Sequence, residues 1–571
     1  MGFYALHSFL ISISNQSTEA AINRAREKVH HFLSRHCDIQ LEATPTGLSC
    51  LKGWIVQPVD QKFHLIRTFQ NEQLEILFFG YLVNDLGQND HQTLVSTYNK
   101  NGIEGISLLE GVFSCIIYNK QTESTHIAND LIGHRKLRIH QTSERTLVSP
   151  HDGFLLATGT IPKVINQIKQ ADSAQLGWAL GAESFIDSIQ TVPPFHFALC
   201  HDNELRFQPV TIKASAKPDR DNISEIVEEL CQYTSNFSKG TAPIISDLTC
   251  GFDSRAVLGL LLNAQIDKTR LTVSTVGNEG STDIIIAGQI AKTYGLKHNI
   301  IPTPFDAGSI EKVWERATYK AFLSNGDTHF KRALTSIPAA LNHLWHTGEG
   351  GGIFKGFYFP AYNKAISLDE GISQLCISLN KGYVSSEEKD RFQTKLIDHL
   401  RYFEDVGSNP YSLMTSFFAT EYIGVMGSIV SNFSWFPFKG SPFLSNRALA
   451  MSLNTKPSLL KQKRVHKAII DRYLKEVKTI PINGQPYFLS FNPGLRKRFG
   501  RYFTQRIINH EKQKSQLLAK LFQNGLNDLV CNNIDKELID SDRIPTNPVN
   551  RSEDKLMMAA AFNHLANLFD T

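Results

Sequence analysis

Ser246-Asp247-Leu248-Thr249-Cys250-Gly251-Phe252-Asp253-Ser254-Arg255 is the stretch on which the reading of this chain turns. It follows the apolar run Ala242 to Ile245 and leads into the apolar helical pattern Arg255 to Asn263, which makes it a turn between a buried strand and a helix start. Such a turn brings backbone N–H groups and the partial positive charge of a helix N-terminus to one place, where phosphate oxygens are stabilised. Gly251 lets the backbone come close, and Thr249 and Ser254 add hydroxyl donors. A carboxylate beside phosphate needs a bridging cation, so Asp253 is a candidate magnesium ligand. The plainer alternative is a capped helix after an ordinary turn.

Working outward, a helical pattern over Ser224 to Asn236 precedes this stretch. It is followed by the apolar run Leu271 to Val276, a helix over Asp283 to Tyr294 stopped by Gly295, and a third run at His298 to Ile301. These alternations call for a parallel sheet with right-handed crossovers, whose ligands lie at the carboxyl ends of the strands. Ser274 and Val276 fall at one such end. Residues 310 to 571 are mainly helical by pattern, broken by Gly348 to Gly352 and by the stretch Trp435 to Phe443, and Glu553 to Phe569 reads as a terminal helix. Before residue 210 the texture differs. Short runs at Phe3 to Ile13, Phe63 to Thr68, Leu74 to Val83, Val112 to Tyr118 and Thr146 to Ser149 read as strands, and Ser17 to Ser34 and Gln92 to Asn99 as helices. The polar segment Lys213 to Asp221 separates an α+β domain over 1–212 from an α/β domain over 222–571.

Composition removes several functions. With 59 basic and 55 acidic residues among 571, the net charge of +4 is too balanced for a dedicated nucleic-acid or anionic-membrane binder. The eight cysteines form no C-x-x-C pair and no zinc spacing, which fits a reducing cytoplasm. Met1 to Ser14 has no basic leading region and reads as a strand, not a secretory signal, and Leu6 breaks the pattern that would make Gly2 a myristoylation site.

Thr249 to Arg255 resembles the Ser-Gly-Gly-x-Asp-Ser pyrophosphate loop of the asparagine synthetase family, in a variant that begins with Thr and ends with Arg. Other segments are similar in order: Gly80 to Asn84, Leu109-Glu110-Gly111-Val112-Phe113, Asp130 to Leu137 on an Asp-x-x-Gly-x-Arg-x-Leu pattern, and Val192 to His196 on a Pro-Pro-Gly-His turn in which Phe195 replaces glycine. The resemblance implies an Ntn-hydrolase-like sandwich followed by an adenine-nucleotide α-hydrolase-like (PP-loop) synthetase domain with a mainly helical C-terminal part. It also implies ATP and Mg2+, with Thr249, Cys250, Gly251, Asp253, Ser254, Ser274, Val276 and Gly348 around the nucleotide and Asp253 on the metal. Glu349 would orient or deprotonate the incoming amine, and Lys467 and Lys478 match helix-borne and late lysines of the family, the latter near the leaving pyrophosphate.

The departures shape the expected function. Glutamine-hydrolysing members expose a cysteine after the initiator methionine, whose thiolate attacks the amide, and here that position is Gly2. The N-terminal domain is therefore expected to be structural. The same loss occurs in relatives that make β-lactams, carbapenams or lasso-peptide macrolactams. That points to an ATP-dependent synthetase that adenylates a small-molecule or peptide carboxylate and couples it to an amine, with a precursor peptide or a biosynthetic partner protein as an expected companion. Against this, Gly352 stands where a second metal-binding aspartate is expected, and Cys250 replaces a loop glycine and is either an inert buried thiol or a reactive one. Asp283 is either a family ligand or a helix cap. A scaffold without catalysis, or asparagine synthesis from free ammonia, are the competing expectations.

Overall fold

The computed structural model describes residues 6–13, 19–36, 39–59, 64–84, 90–176, 181, 183–202, 204–212, 218–302, 309–330, 334, 342–357, 409–425, 438–492, 516–518, 520–534 and 551–569, with scattered positions between 367 and 398 and between 495 and 498. Gly2, Trp435 and the segment 213–217 lie outside the described residues.

The N-terminal half holds two six-stranded antiparallel sheets. One runs in the order Ile189–Thr191, Arg138–Gln141, Thr146–Ser149, Ser8–Ile13, Leu51–Pro58, Leu41–Pro45. The other runs Glu204–Pro209, His196–His201, Ser124–Asn129, Gly111–Asn119, Leu74–Leu82, Ile66–Gln70. Alternation along the strands explains the layering. Leu10 pairs with Trp54, and the Trp54 indole donates to the Ile22 carbonyl at 3.1 Å, so this face carries the helix Glu19–His36. The opposite face, with Phe9, meets Phe79 of the second sheet edge-on at 6.0 Å. The helix Asp90–Ser107 covers the far side of that second sheet, where Tyr98 bonds His126 at 2.8 Å. Leu74–Leu82, read from sequence as one apolar run, is buried along its whole length because both its faces are covered. Gly80 sits in it at φ +126, and a Cβ there would lie 2.1 Å from the Val112 carbonyl oxygen. Phe195 keeps φ +57 at the turn where the pattern has glycine, with its ring fully buried.

The C-terminal half is built on a five-stranded parallel sheet in the order Lys297–Ile301, Leu271–Val276, Ile244–Asp247, Leu344–His346, Phe438–Gly440. The expected strands and helices around residue 250 are present: Ile223–Phe237, Phe252–Asn263 and Thr282–Tyr294 are helical, and Gly295 ends the last in the left-handed conformation at φ +64. Two strands were not expected. Leu344–His346 and Phe438–Gly440, three residues each, lie in the region read as mainly helical and complete the sheet on its other side. The order therefore reverses at Ile244–Asp247, which places a crevice at the carboxyl ends of that strand and Leu344–His346.

The halves are tied together. Glu110 accepts from the backbone N–H of Asn446 and of Arg447, both at 3.0 Å, and caps the helix Asn446–Leu453. Tyr81 donates to the Lys439 carbonyl at 2.5 Å, and Arg138 pairs with Asp327 at 3.3 Å. The helix Arg551–Leu568 packs on Ile310–Ser324 and Gln167–Leu176, with Met557 to Phe562 buried. No helix of the described residues is long and apolar enough to cross a membrane.

Candidate functional site

The turn after Ile244–Asp247 is held by its own side chains. Ser254 Oγ accepts from Thr249 N–H at 3.0 Å and meets Thr249 Oγ1 at 2.9 Å, while Gly251 N–H donates to Thr249 Oγ1 at 3.2 Å. Cys250 N–H donates to Asp283 Oδ1 at 2.8 Å. Asp283 is thus drawn to the turn, and the N-cap role open to it from sequence belongs to Ser281, which accepts from Ile284 N–H. Arg255, buried, reaches the Ile480 carbonyl at 3.0 Å, and Asn483 N–H donates to the Cys250 carbonyl at 2.9 Å. Asn483 therefore stands over the turn, with Oδ1 3.6 Å from Cys250 Sγ. Burial and then the neighbouring Asp283 push the Cys250 thiol up to about 12, the direction opposite to the one a reactive thiol needs. Cys250 has no positive φ, which is why a side chain is tolerated in place of glycine.

Asp253, on the first turn of Phe252–Asn263, is gripped from two sides. Lys355 Nζ lies 2.6 Å from Oδ2 and His466 Nε2 lies 2.7 Å from Oδ1. Burial works against its charge, yet His466 and Lys355 together hold the carboxyl at about 2. The turn 348–352 wraps directly onto it. A Cβ on Gly348 would lie 2.6 Å from Asp253 Cβ, and one on Gly351 would lie 2.2 Å from Asp253 Oδ1. The glycines are thus required by contact with Asp253, and Gly350 adds a left-handed turn at φ +82.

Glu349, projecting from the same turn, pairs with Lys439 at 2.6 Å, and its carbonyl accepts from Ser441 Oγ at 2.6 Å. Asp247 accepts from the Trp345 indole at 2.7 Å, and burial pushes its carboxyl up to about 6 although the Trp345 bond and Lys439 oppose it. Ser274 is buried at the end of its strand with no partner for its hydroxyl among the described residues, while Val276 is exposed.

Lys467 and Lys478 are brought together, but away from Asp253. Both pair with Asp471, Lys478 at 2.7 Å, and Tyr487 donates to the same carboxylate, beside a cleft of about 270 Å³ lined by Lys467, Asp471, Arg464 and Asp221. From the basic stretch 461–467, the residues that face Asp253 are His466 and Lys463, because the helix Arg464–Tyr473 turns Lys467 to its other side. Lys355, Lys439, Asn483, Asp247 and Asp471 were not singled out from sequence. Lys355 had a signal, since it follows the glycine run by three residues; Asn483 and Lys439 had none, being brought in by long-range packing.

A metal does not fit this donor set. Both oxygens of Asp253 are engaged by side chains that are themselves donors, and no group of three or more histidine, cysteine or acidic residues able to hold a metal occurs among the described residues. The second carboxylate expected at position 352 also has no room, as a Cβ there would lie 2.4 Å from the Phe418 ring.

Residues 84–210 match a family model described as a glutamine amidotransferase domain, a span that contains Glu110, Asp130 to Leu137 and Pro193 to His196. The match falls within the N-terminal half and takes in most of its second sheet. Among curated proteins, the chain is 23% identical over 228 residues to a probable asparagine synthetase (glutamine-hydrolyzing) of Acanthamoeba polyphaga mimivirus, covering 39% of this chain and 40% of that one. It is 22% identical over 204 residues to the amidase chry2 of Gibberella zeae, covering 34% of this chain and 29% of that one. The chain therefore spans well under half the length of these relatives. Among solved structures, the allosteric regulatory enzyme of purine biosynthesis is 12% identical over 53% of this chain and 82% of its own, at a TM-score of 0.24, a value that carries no argument.

Proposed function

We propose that the chain is an ATP-dependent, AMP-forming amide-bond synthetase that works without hydrolysing glutamine. What supports this most is the convergence, at the reversal point of a parallel sheet, of a turn leading into a helix N-terminus with Lys355, Lys439 and Glu349. A substrate carboxylate would attack the α-phosphorus of ATP, releasing pyrophosphate and leaving an acyl-adenylate. An amine would then displace AMP to form the amide, giving up its proton. Thr249, Gly251 and Ser254 are assigned to the pyrophosphate, and Ser274 and Val276 to the nucleoside. Glu349, whose negative charge is held by Lys439, is assigned to the incoming amine, as a carboxylate beside a reacting adenylate can take the proton. The acyl group is a small-molecule or peptide carboxylate, the latter delivered by a precursor peptide. The amidotransferase-type domain at 84–210 serves as a structural partner in this reading, because position 2 is glycine.

One observation favours a second reading, a scaffold that keeps the fold without catalysis: the Cys250 N–H that would meet phosphate is already taken by Asp283. The experiment that separates the two is pyrophosphate release from ATP with a panel of carboxylates and amines, comparing the protein with Asp253→Asn. The synthetase reading expects release that falls at least about a hundredfold in the variant, since removing a charged group from a polar catalytic site costs on that order. Absence of release together with absence of ATP binding selects the scaffold.

A further inference from the structure

The mismatch between Asp253 and a metal ion has a positive side. Lys355 and Lys463 lie near this carboxylate, Lys461 and Arg496 lie near Lys463, and burial lowers the imidazole of His466 beside Asp253 against the pull of the carboxylate. Lys461 reaches the Gly356 carbonyl at 3.3 Å, and Lys463 reaches the Ser490 carbonyl at 3.2 Å while lying 4.0 Å over the Phe252 ring. Both carbonyls are neutral acceptors that orient the ammonium groups. Burial lowers Lys463 to about 8, and Arg496, Lys355 and Lys461 add to it in the same direction, against Asp253. Such an arrangement holds together best with a multiply charged anion between its members.

We propose that this site binds the triphosphate of ATP without a divalent metal, the Lys355 ammonium standing where a metal ion would stand and Asp253 with His466 fixing it there. The proposal rests on the nucleotide-binding reading above. Lys355 sits at the end of the short turn Ile353–Lys355, and that turn follows directly from the glycines that press against Asp253. An ammonium 2.6 Å from a carboxylate keeps its remaining N–H bonds for phosphate oxygens, and the carboxylate prevents it from swinging away. His466 Nε2 lies 2.7 Å from the other oxygen, so each carboxylate oxygen has a side-chain partner before any ion arrives. His466 is locked in turn by stacking on Phe443 at 5.1 Å.

The test is equilibrium binding of ATP to the full chain by titration calorimetry, once with Mg2+ and once with excess EDTA, for the protein, Lys355→Ala and Lys355→Arg, with the far-ultraviolet spectrum and melting curve of each variant as a check on folding. The expected result is affinity within about twofold in the two conditions for the unmodified protein and for Lys355→Arg. Lys355→Ala should lose about tenfold or more in EDTA and recover part of that with Mg2+, because the freed Asp253 oxygen can then serve a metal. Unmodified protein that binds ATP with Mg2+ and loses about tenfold in EDTA overturns the proposal and leaves the nucleotide-binding reading standing. No ATP binding in either condition overturns both. If Lys355→Ala fails to fold, the comparison of the unmodified protein in the two conditions still decides.

Discussion

Two aspartates, one in each half, were both parts of recognisable motifs, and they do opposite things. Asp130 is buried and accepts from backbone N–H groups, those of His134 at 2.8 Å, Arg135 at 3.0 Å and Phe113 at 3.3 Å. Every one of those donors belongs to the fold itself. Asp253 accepts from side chains, Lys355 and His466, which other segments bring to the end of a strand. A carboxylate that satisfies main chain is part of the scaffold, while one that pairs with basic side chains at a crevice fixes them where a ligand would meet them. Asp130 thus organises main chain within the N-terminal half, and Asp253 organises side chains at the crevice of the C-terminal half.

The comparison is most easily broken at Asp130. Asp130→Ala leaves three buried N–H groups without an acceptor and should cost roughly 3 kcal/mol or more, seen as a lower denaturation midpoint in urea. A loss under about 1 kcal/mol would mean that water replaces the carboxylate and that the contrast with Asp253 is false. A smaller effect is expected at Gly351→Ala, whose new methyl must push Asp253 away from His466. A stability loss of about 2 kcal/mol is expected by calorimetric melting, together with loss of ATP binding, and Ala at 351 with unchanged binding would show that the turn does not need its contact with Asp253. The smallest effect is a pH slope. Burial pushes His346 down to about 3, so between pH 6.5 and about 3 the unfolded chain holds a proton that the folded chain refuses. Stability contributed by this group is complete above pH 6.5 and falls as pH drops, by at most about 1.4 kcal/mol per unit. His346→Asn should flatten the acid limb of a melting-temperature profile measured from pH 7 to 4, and an unchanged limb would assign it to other buried histidines such as His466.

How much of this was legible in the sequence follows from the range of each interaction. The strand, turn and helix around Thr249 to Ser254 were readable because a buried run, a small-residue turn and an apolar helix are local signals. Glu349 was singled out through the resemblance of its glycine run to a family segment, not through any local pattern that places it at the crevice. The strands Leu344–His346 and Phe438–Gly440 were not, since three residues are too few to show a period. Lys467 and Lys478 were read separately, as two lysines of the site, whereas both pair with Asp471; which face of a helix meets Asp253 depends on packing, and there His466 points inward instead. Asn483 reaches Cys250 across 233 positions of chain, a separation at which no local pattern helps.

The last helix has a consequence for how the molecule is made. Arg551–Leu568 covers Gln167–Leu176, and Asn563 donates to Gln170 across 393 positions. At about 5 to 20 residues per second, a ribosome delivers that cover roughly 20 to 80 s after its N-terminal counterpart has emerged. For that interval the helix Gln167–Leu176 lacks its final partner, and the Lys169, Gln170, Asp172 and Ser173 side chains that end buried stay open to water. Docking of the helix Arg551–Leu568 is therefore a late step, taken only after the strands of both N-terminal sheets have been made.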